Sequence, residues 1–110
     1  MVPDSLREAL QDIQQGNRSG VQMPKVLYII PTGQNPTGST LSSDRRKEIY
    51  AIACKFDLVI IEDDPYFFLN YGPDRAPADE KSYHRPRVDS FFSIDVENRV
   101  VRFDSMRYRK

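Results

Sequence analysis

The sequence predicts an α/β fold, built as a small parallel sheet with flanking helices. The apolar runs at 26–30 and 58–61 are continuous and do not alternate with polar residues, which is typical of strands covered on both faces. Between them, residues 42–56 begin with serine and carry apolar residues at helical spacing. A strand, a helix and a strand in this order predict a parallel pair joined by a right-handed crossover.

A short amphipathic helix is predicted at the start of the chain. Pro3 favours a helix start, and Gly16 provides a stop signal. The apolar residues at helical spacing between them are Leu6, Ala9, Leu10 and Ile13. The first strand follows at 26–30, and Pro31 ends it.

A turn, a second helix and a second strand come next. Residues 32–40 hold two glycines and a proline, which favour turn geometry. Either Ser42 or Ser43 can cap the following helix. Its apolar stripe consists of Ile49, Ile52, Ala53 and Phe56. The second strand, at 58–61, is rich in β-branched residues.

The remainder of the chain predicts a loop and a third strand. Residues 70–89 are rich in proline and charge, which indicates a surface loop or insertion. A strand at 99–103 follows a turn at 95–98, with Phe91 and Phe92 packing nearby. Two helices cannot cover both faces of a parallel sheet. We therefore predict that the 110 residues are an excerpt of a larger α/β protein, with apolar strand faces left uncovered.

Charge and cysteine content exclude several classes of protein. Sixteen basic and sixteen acidic residues cancel, so no global field attracts nucleic acid or an anionic membrane. The single cysteine, Cys54, excludes an internal disulfide framework and a multi-thiolate zinc site, which favours a reducing compartment. No apolar run approaches the ~18 residues of a membrane helix, and the start does not resemble a leader peptide. We predict a cytoplasmic protein whose partner is a small molecule.

Polar clusters directly follow the two predicted strands of this unit. The motif QNPTG at 34–38 follows the first strand, and EDDPY at 62–66 follows the second. Ligands of open α/β sheets bind at the carboxyl ends of the strands, so we expect Asn35, Asp63 and Tyr66 to converge there. A carboxylate can keep the nitrogen of a pyridine ring protonated, while an amide and a phenol donate hydrogen bonds to a ring oxygen. This set suits a planar, phosphorylated heterocycle.

These motifs resemble a known family. The segments PTGQNPTG at 31–38 and IIEDDPYFFL at 60–69 resemble class I/II aminotransferases of the fold type I pyridoxal-phosphate group. The chain is most similar to the fungal aromatic amino acid, kynurenine and 2-aminoadipate aminotransferases, over about residues 2–105. The resemblance implies that residues 1–110 are an incomplete central part of the cofactor-binding large domain. It also implies that 70–89 form an insertion and 106–110 a divergent tail.

The resemblance implies pyridoxal 5'-phosphate as the cofactor and a role for each site residue. Asn35 and Tyr66 would bond the O3' oxygen of the ring, and Asp63 would pair with its pyridinium nitrogen. Ser105 would bind the phosphate. The family's pattern also implies a cis peptide between Asn35 and Pro36.

The end of the chain departs from the family's pattern. After Ser105 the family continues with Phe-Ser-Lys, whose lysine carries the cofactor as an imine, whereas this chain continues with Met-Arg-Tyr. Tyr108 occupies the position of that lysine and cannot form an imine. Lys110 lies two residues further on, ~7 Å away at extended rise, and does not replace it. We predict that this form has no catalytic residue and is inactive.

Three interpretations of function follow, from different classes. The first is a fragment of an aminotransferase, homodimeric when complete, that moves an amino group from an aromatic or related amino acid to a 2-oxo acid. The second is a non-catalytic fragment that associates with a full-length aminotransferase subunit. The third, an unrelated nucleotide binder, ranks last because no glycine-rich phosphate loop is present. His84 is expected to be solvated, and Cys54 and Tyr28 are expected to be packing residues.

Overall fold

The computed structural model describes residues 1–67 and 88–104. These residues form α1 (Pro3–Gln14), β1 (Val26–Ile29), α2 (Ser43–Lys55), β2 (Val59–Asp63) and β3 (Val100–Phe103). The predicted α/β class and the predicted order of the elements are confirmed. The predicted loop at 70–89 lies outside the described residues, apart from its last two positions.

The three strands form one parallel sheet in the order β1-β2-β3. The register pairs Ile29 with Glu62 between β1 and β2, and Asp63 with Phe103 between β2 and β3. The carboxyl ends of all three strands therefore lie at one edge of the sheet, where ligands of such sheets bind. β2 ends at Asp63, two residues later than predicted, because its pairing with β3 continues to that residue.

Both helices begin where local chemistry favours a helix start. α1 begins at Pro3, whose missing N–H is not needed in the first turn, and Asp4 complements the helix dipole there. α2 is capped by Ser42, whose hydroxyl accepts a hydrogen bond from Arg45 N at 3.4 Å. Ser42 is thus the cap and Ser43 the first helical residue, which settles the alternative left open by the sequence.

The core lies on one face of the sheet, beneath α2. Its buried apolar residues come from both helices, all three strands and the segments that connect them. They are Leu10, Ile29, Leu41, Ile49, Tyr50, Ile52, Ala53, Phe56, Leu58, Ile60, Phe91 and Val100. The predicted stripe of α2 is confirmed as part of this core. Phe91 is buried as predicted, whereas Phe92 is 59% exposed, so the expectation that it packs is wrong.

The opposite face of the sheet is open. Five hydrophobic side chains of β1, β2 and β3 that point away from α2 are between 40% and 56% exposed. They are Val26, Tyr28, Val59, Val101 and Phe103. Within residues 1–67 and 88–104, no segment shields these side chains from solvent. This is the uncovered apolar strand face that the sequence predicts, and we refer to these five residues as the open face.

The turn before β3 is organised around Asp95. Its carboxylate accepts hydrogen bonds from the Tyr50 hydroxyl at 2.9 Å, from Arg99 N at 3.2 Å and from Val100 N at 2.9 Å. Burial opposes ionisation of this carboxyl, but the hydrogen bonds outweigh it and lower the pKa of Asp95. Asp95 thus fixes the entry of the chain into β3.

Candidate functional site

The loop from β1 to α2 and the turn after β2 lie against each other at the carboxyl edge of the sheet. Thr32 Oγ1 donates to Asp64 Oδ2 at 3.1 Å, and this contact joins the loop to the end of β2. The Tyr66 ring lies beside Gly33, where an added Cβ would stand 3.6 Å from Tyr66 Cβ. The loop that carries the first polar motif therefore adjoins the turn that carries the second.

The loop that carries Asn35 is closed by its own hydrogen bonds. Leu41 N donates to Pro31 O at 2.8 Å, and Gln34 N donates to Ser39 O at 3.0 Å. Asn35 lies at the exposed part of this loop, and its peptide bond to the following proline is cis, as the resemblance implies. Its side-chain amide makes no hydrogen bond to any residue that the structure describes, so the amide is available to a ligand.

Asp63 is the last residue of β2, and the side chain of Tyr28 holds its carboxylate. The Tyr28 hydroxyl donates to Asp63 Oδ2 at 2.5 Å. This hydrogen bond, together with partial burial and the nearby negative charge, raises the pKa of Tyr28. The expectation that Tyr28 is only a packing residue is therefore wrong. It is 55% exposed, and its polar end meets a predicted site residue.

Tyr66 completes the predicted set from the turn after β2. Its side chain is 43% exposed and covers Gly33, which has a φ of 56°. Glycine adopts this backbone conformation without strain, and the Tyr66 ring lies at van der Waals distance from it. The amide, carboxylate and phenol thus come from adjoining segments. Their donor and acceptor chemistry fits a pyridine ring that carries a phenolate oxygen.

A buried arginine ties this loop to the sheet. Arg46, in α2, is 1% exposed. Its guanidinium donates to Leu41 O at 3.1 Å, Pro31 O at 3.3 Å and Thr32 Oγ1 at 3.1 Å. Its Nη1 also donates to Asp89 O at 3.2 Å. Both ends of the loop that carries Asn35 are therefore held by one side chain.

Two buried carboxylates balance the charge of Arg46. Glu62 lies 3.9 Å from Arg46 and accepts hydrogen bonds from Phe91 N at 2.9 Å and Phe92 N at 3.0 Å. Asp64 Oδ1 is buried and has no hydrogen-bond partner among the residues that the structure describes. Burial is the main cause that raises the pKa of Asp64, although Thr32 and Arg46 oppose the shift.

Arg46 is not among the residues predicted from the sequence, although the sequence holds a signal for it. Arg46, Ile49, Tyr50 and Ala53 share one face of α2 at helical spacing, and all four are buried. An arginine in line with an apolar stripe indicates a buried guanidinium that needs acceptors nearby. The carbonyl groups at the two ends of the loop supply these acceptors.

Two of the predicted positions lie outside the described residues. Ser105, the predicted phosphate ligand, and Tyr108, at the position of the family's lysine, both follow the last described residue. His84 also falls outside the described ranges. Their assignments stay predictions from the sequence.

The described part of the chain contains neither a metal-binding cluster nor a membrane-spanning helix. No group of three or more His, Cys, Asp and Glu residues could hold a metal ion there. No helix among the same residues is long and apolar enough to cross a membrane.

Comparison with known proteins gives relatives of one kind, although no family model matches the chain. An aromatic amino acid aminotransferase of Schizosaccharomyces pombe is 46% identical over 114 residues, covering 96% of this chain and 23% of the relative. The mitochondrial kynurenine/alpha-aminoadipate aminotransferase of Rattus norvegicus is 40% identical over 108 residues, with the same two coverages. The chain thus spans less than a quarter of the length of these relatives.

A solved structure supports the same relationship in three dimensions. The crystal structure of aminotransferase Aro8 from Candida albicans superposes with a TM-score of 0.76 at 47% identity. The match covers 96% of this chain and 22% of that chain. The parallel sheet and its flanking helices therefore have the arrangement found in one part of that much longer protein.

Proposed function

We propose that the chain, as a segment of the class I/II aminotransferase family of fold type I, supplies the ring-binding part of a pyridoxal 5'-phosphate site. In the complete protein, this site would serve the transfer of an amino group from an aromatic or related amino acid to a 2-oxo acid. One observation carries the proposal. The loop with Asn35 and the strand end with Asp63 and Tyr66 meet at the carboxyl edge of the sheet, through the contacts of Thr32 and Gly33.

Each of the three side chains has a distinct task toward the ring. The carboxylate of Asp63 holds the ring nitrogen protonated, because a nearby negative charge favours the charged form of the ring. The Asn35 amide and the Tyr66 hydroxyl donate to the ring oxygen and fix the tilt of the ring. Pyridoxal phosphate, when bound, supplies an electron sink for negative charge at the substrate's α-carbon. Asp63 makes this sink effective.

The same assignment leaves part of the chemistry outside this chain. Ser105 is proposed to contact the phosphate. Tyr108 stands where the family has its lysine, and a phenol cannot take the covalent role of an amine or move the substrate's α-proton as that amine does. We therefore propose that the 110-residue form binds the ring without catalysing amino transfer.

The remaining features of the proposal concern the complete protein. The amino acid and the 2-oxo acid are its substrates, it is a homodimer, and neither nucleic acid nor a membrane is a partner. A cytoplasmic location is part of the proposal, and the relative from Rattus norvegicus is named as mitochondrial. Cell fractionation with an antibody against this chain distinguishes the two compartments.

Titration with pyridoxamine 5'-phosphate tests the ring-binding proposal. This compound has the ring, the ring oxygen and the phosphate but no aldehyde, so it cannot label surface lysines. We expect calorimetry to detect binding by the 110-residue chain and a weaker complex with the Asp63→Asn variant. The loss of a hydrogen bond to a charged group, about 1.5–3 kcal/mol, corresponds to roughly 10- to 150-fold in the dissociation constant.

A matched control separates this effect from a general loss of negative charge. Asp44→Asn removes a carboxylate at an exposed position of α2, and we expect it to leave the affinity unchanged. The absence of binding by the unaltered chain would contradict the proposed function. Equal affinities for the unaltered chain and the Asp63→Asn variant would remove Asp63 from the site.

A second candidate function is association with an intact aminotransferase subunit, without catalysis. The open face favours it, since an apolar sheet surface of this kind is normally covered by another layer of structure. Co-purification of a tagged 110-residue chain with a full-length aminotransferase of the same cell would support this function. Aggregation of the chain without a stoichiometric partner would contradict it.

A further inference from the structure

We propose that Tyr28 is a positioning residue for Asp63, holding one carboxylate oxygen so that the other faces the ring nitrogen of the cofactor. The inference rests on the proposed function and adds a residue to it. Its basis is the hydrogen bond from the Tyr28 hydroxyl to Asp63 Oδ2 at 2.5 Å. The other oxygen, Oδ1, makes no hydrogen bond to the described residues and is free to accept one from a ligand.

The strand register produces this contact. Tyr28 pairs with Ile61, and Asp63 stands two residues further along β2, so Tyr28 and Asp63 share one face of the sheet. A tyrosine side chain is long enough to reach such a diagonal neighbour. A separation of 2.5 Å lies within the range for a hydroxyl that donates to an ionised carboxylate. The contact is therefore a charge-assisted hydrogen bond across the two strands.

The position of Asp63 explains why such a partner matters. Asp63 is the partly buried last residue of β2, and among the described residues Tyr28 supplies the one hydrogen bond to its carboxylate. A carboxylate that is already oriented does not lose rotamer freedom when a ligand binds. Tyr28 thus prepares the site before the ring arrives.

The hydrogen-bond donor to Asp63 is the neutral hydroxyl of a tyrosine, and this also matters for the site. The raised pKa of Tyr28 means that its hydroxyl stays protonated and uncharged in the neutral range. A neutral donor orients the carboxylate without cancelling its charge, whereas a lysine or arginine in the same place would form an ion pair with it. The full negative charge of Asp63 remains available to hold the ring nitrogen protonated.

Packing against the described residues does not account for Tyr28. Its side chain is 55% exposed, and it is not part of the buried core. A second tyrosine–aspartate pair in the same chain provides a contrast. Tyr50 is 8% exposed, and its hydroxyl donates to Asp95 at the turn before β3, away from the proposed ring site. The two pairs have the same chemistry but different surroundings.

The Tyr28→Phe variant tests the inference, with Tyr50→Phe as its matched control. Without ligand, we expect the Asp63 side chain to occupy one rotamer in the unaltered chain and to average over several in Tyr28→Phe, measured by NMR scalar couplings. With pyridoxamine 5'-phosphate labelled with nitrogen-15 in the ring, we expect Tyr28→Phe to bind about three- to tenfold more weakly, the effect of one lost hydrogen bond. Its ring-nitrogen resonance should also shift toward the unprotonated value.

The control and the contrary outcomes distinguish this inference from the proposed function. Tyr50→Phe should lower the thermal midpoint while leaving both the affinity and the ring-nitrogen resonance as in the unaltered chain. If Tyr28→Phe keeps a single Asp63 rotamer, or binds with unchanged affinity and resonance, the inference is overturned and the proposed function stands. If the unaltered chain does not bind the compound, both are overturned.

Discussion

Replacement of Arg46 by methionine is expected to lower the free energy of unfolding by about 3–5 kcal/mol at neutral pH, which is the usual cost of removing one partner of a buried ion pair. The variant leaves the buried carboxylates of Glu62 and Asp64 without the guanidinium of Arg46, and Arg102, 3.6 Å from Glu62, remains as their nearby cation. It also leaves Pro31 O, Leu41 O and Asp89 O without the guanidinium donors that they accept from. Urea unfolding followed by circular dichroism measures the loss.

The adjacent arginine serves as the control for this prediction. Arg45 is exposed on the same helix, and Arg45→Met should change the free energy of unfolding by no more than about 0.5 kcal/mol, as surface substitutions usually do. If the free energy of unfolding of Arg46→Met lies within about 0.5 kcal/mol of that of the unaltered chain, the central role given to this side chain is contradicted. Equal losses in the two variants would mean that methionine in α2, and not the buried network, causes the effect.

The same network predicts a dependence on pH with a definite sign. Burial raises the pKa of Asp64 in the folded chain above its unfolded value, so its protonation favours the folded state. That contribution is fully present below the unfolded pKa of about 3.9 and is lost as the pH rises through the folded pKa. Because the charge of Arg46 opposes the shift, the pKa of Asp64 should rise further in Arg46→Met. The stability deficit of this variant should therefore shrink as the pH is lowered, whereas a constant deficit would contradict this explanation.

The Phe91→Ala variant is expected to lose about 3–5 kcal/mol of stability, since a large buried aromatic side chain is replaced by a cavity. Phe91 is 0% exposed and belongs to the core beneath the sheet. Its neighbour Phe92 is 59% exposed, and Phe92→Ala should cost about 0.5 kcal/mol or less. Both backbone amides donate to Glu62, so the pair differs mainly in side-chain burial. If chemical denaturation shows that Phe91→Ala and Phe92→Ala lose similar amounts of free energy of unfolding, the orientation of the two side chains in this turn is contradicted.

The sequence was sufficient to locate the elements of the sheet, but it could not define their ends. Continuous apolar runs predicted β1 and β2, because strands covered on both faces have this pattern. The end of β2 depends on its partner: Asp63 remains in the strand because it pairs with Phe103. The different burial of Phe91 and Phe92 was also beyond the sequence, since a turn has no periodicity that assigns one face to the core.

The candidate site could be predicted at those positions where the residue type itself indicates the chemistry. The motifs around Asn35, Asp63 and Tyr66 stand out because an amide, a carboxylate and a phenol follow strand ends; their roles toward the ring stay predictions. Tyr28 and Arg46 were missed for structural reasons. The contact of Tyr28 depends on the register between two strands, and the role of Arg46 depends on which carbonyl groups the loop turns toward the buried face of α2.

The most direct test of the account is the structure of the complex between the 110-residue chain and pyridoxamine 5'-phosphate, determined from intermolecular NMR contacts. We predict contacts from the side chains of Asn35, Asp63 and Tyr66 to a single ring, with Asp63 at the ring nitrogen and the other two at the ring oxygen. A ring bound elsewhere on the chain, or one that contacts Asn35 but neither Asp63 nor Tyr66, would contradict the account.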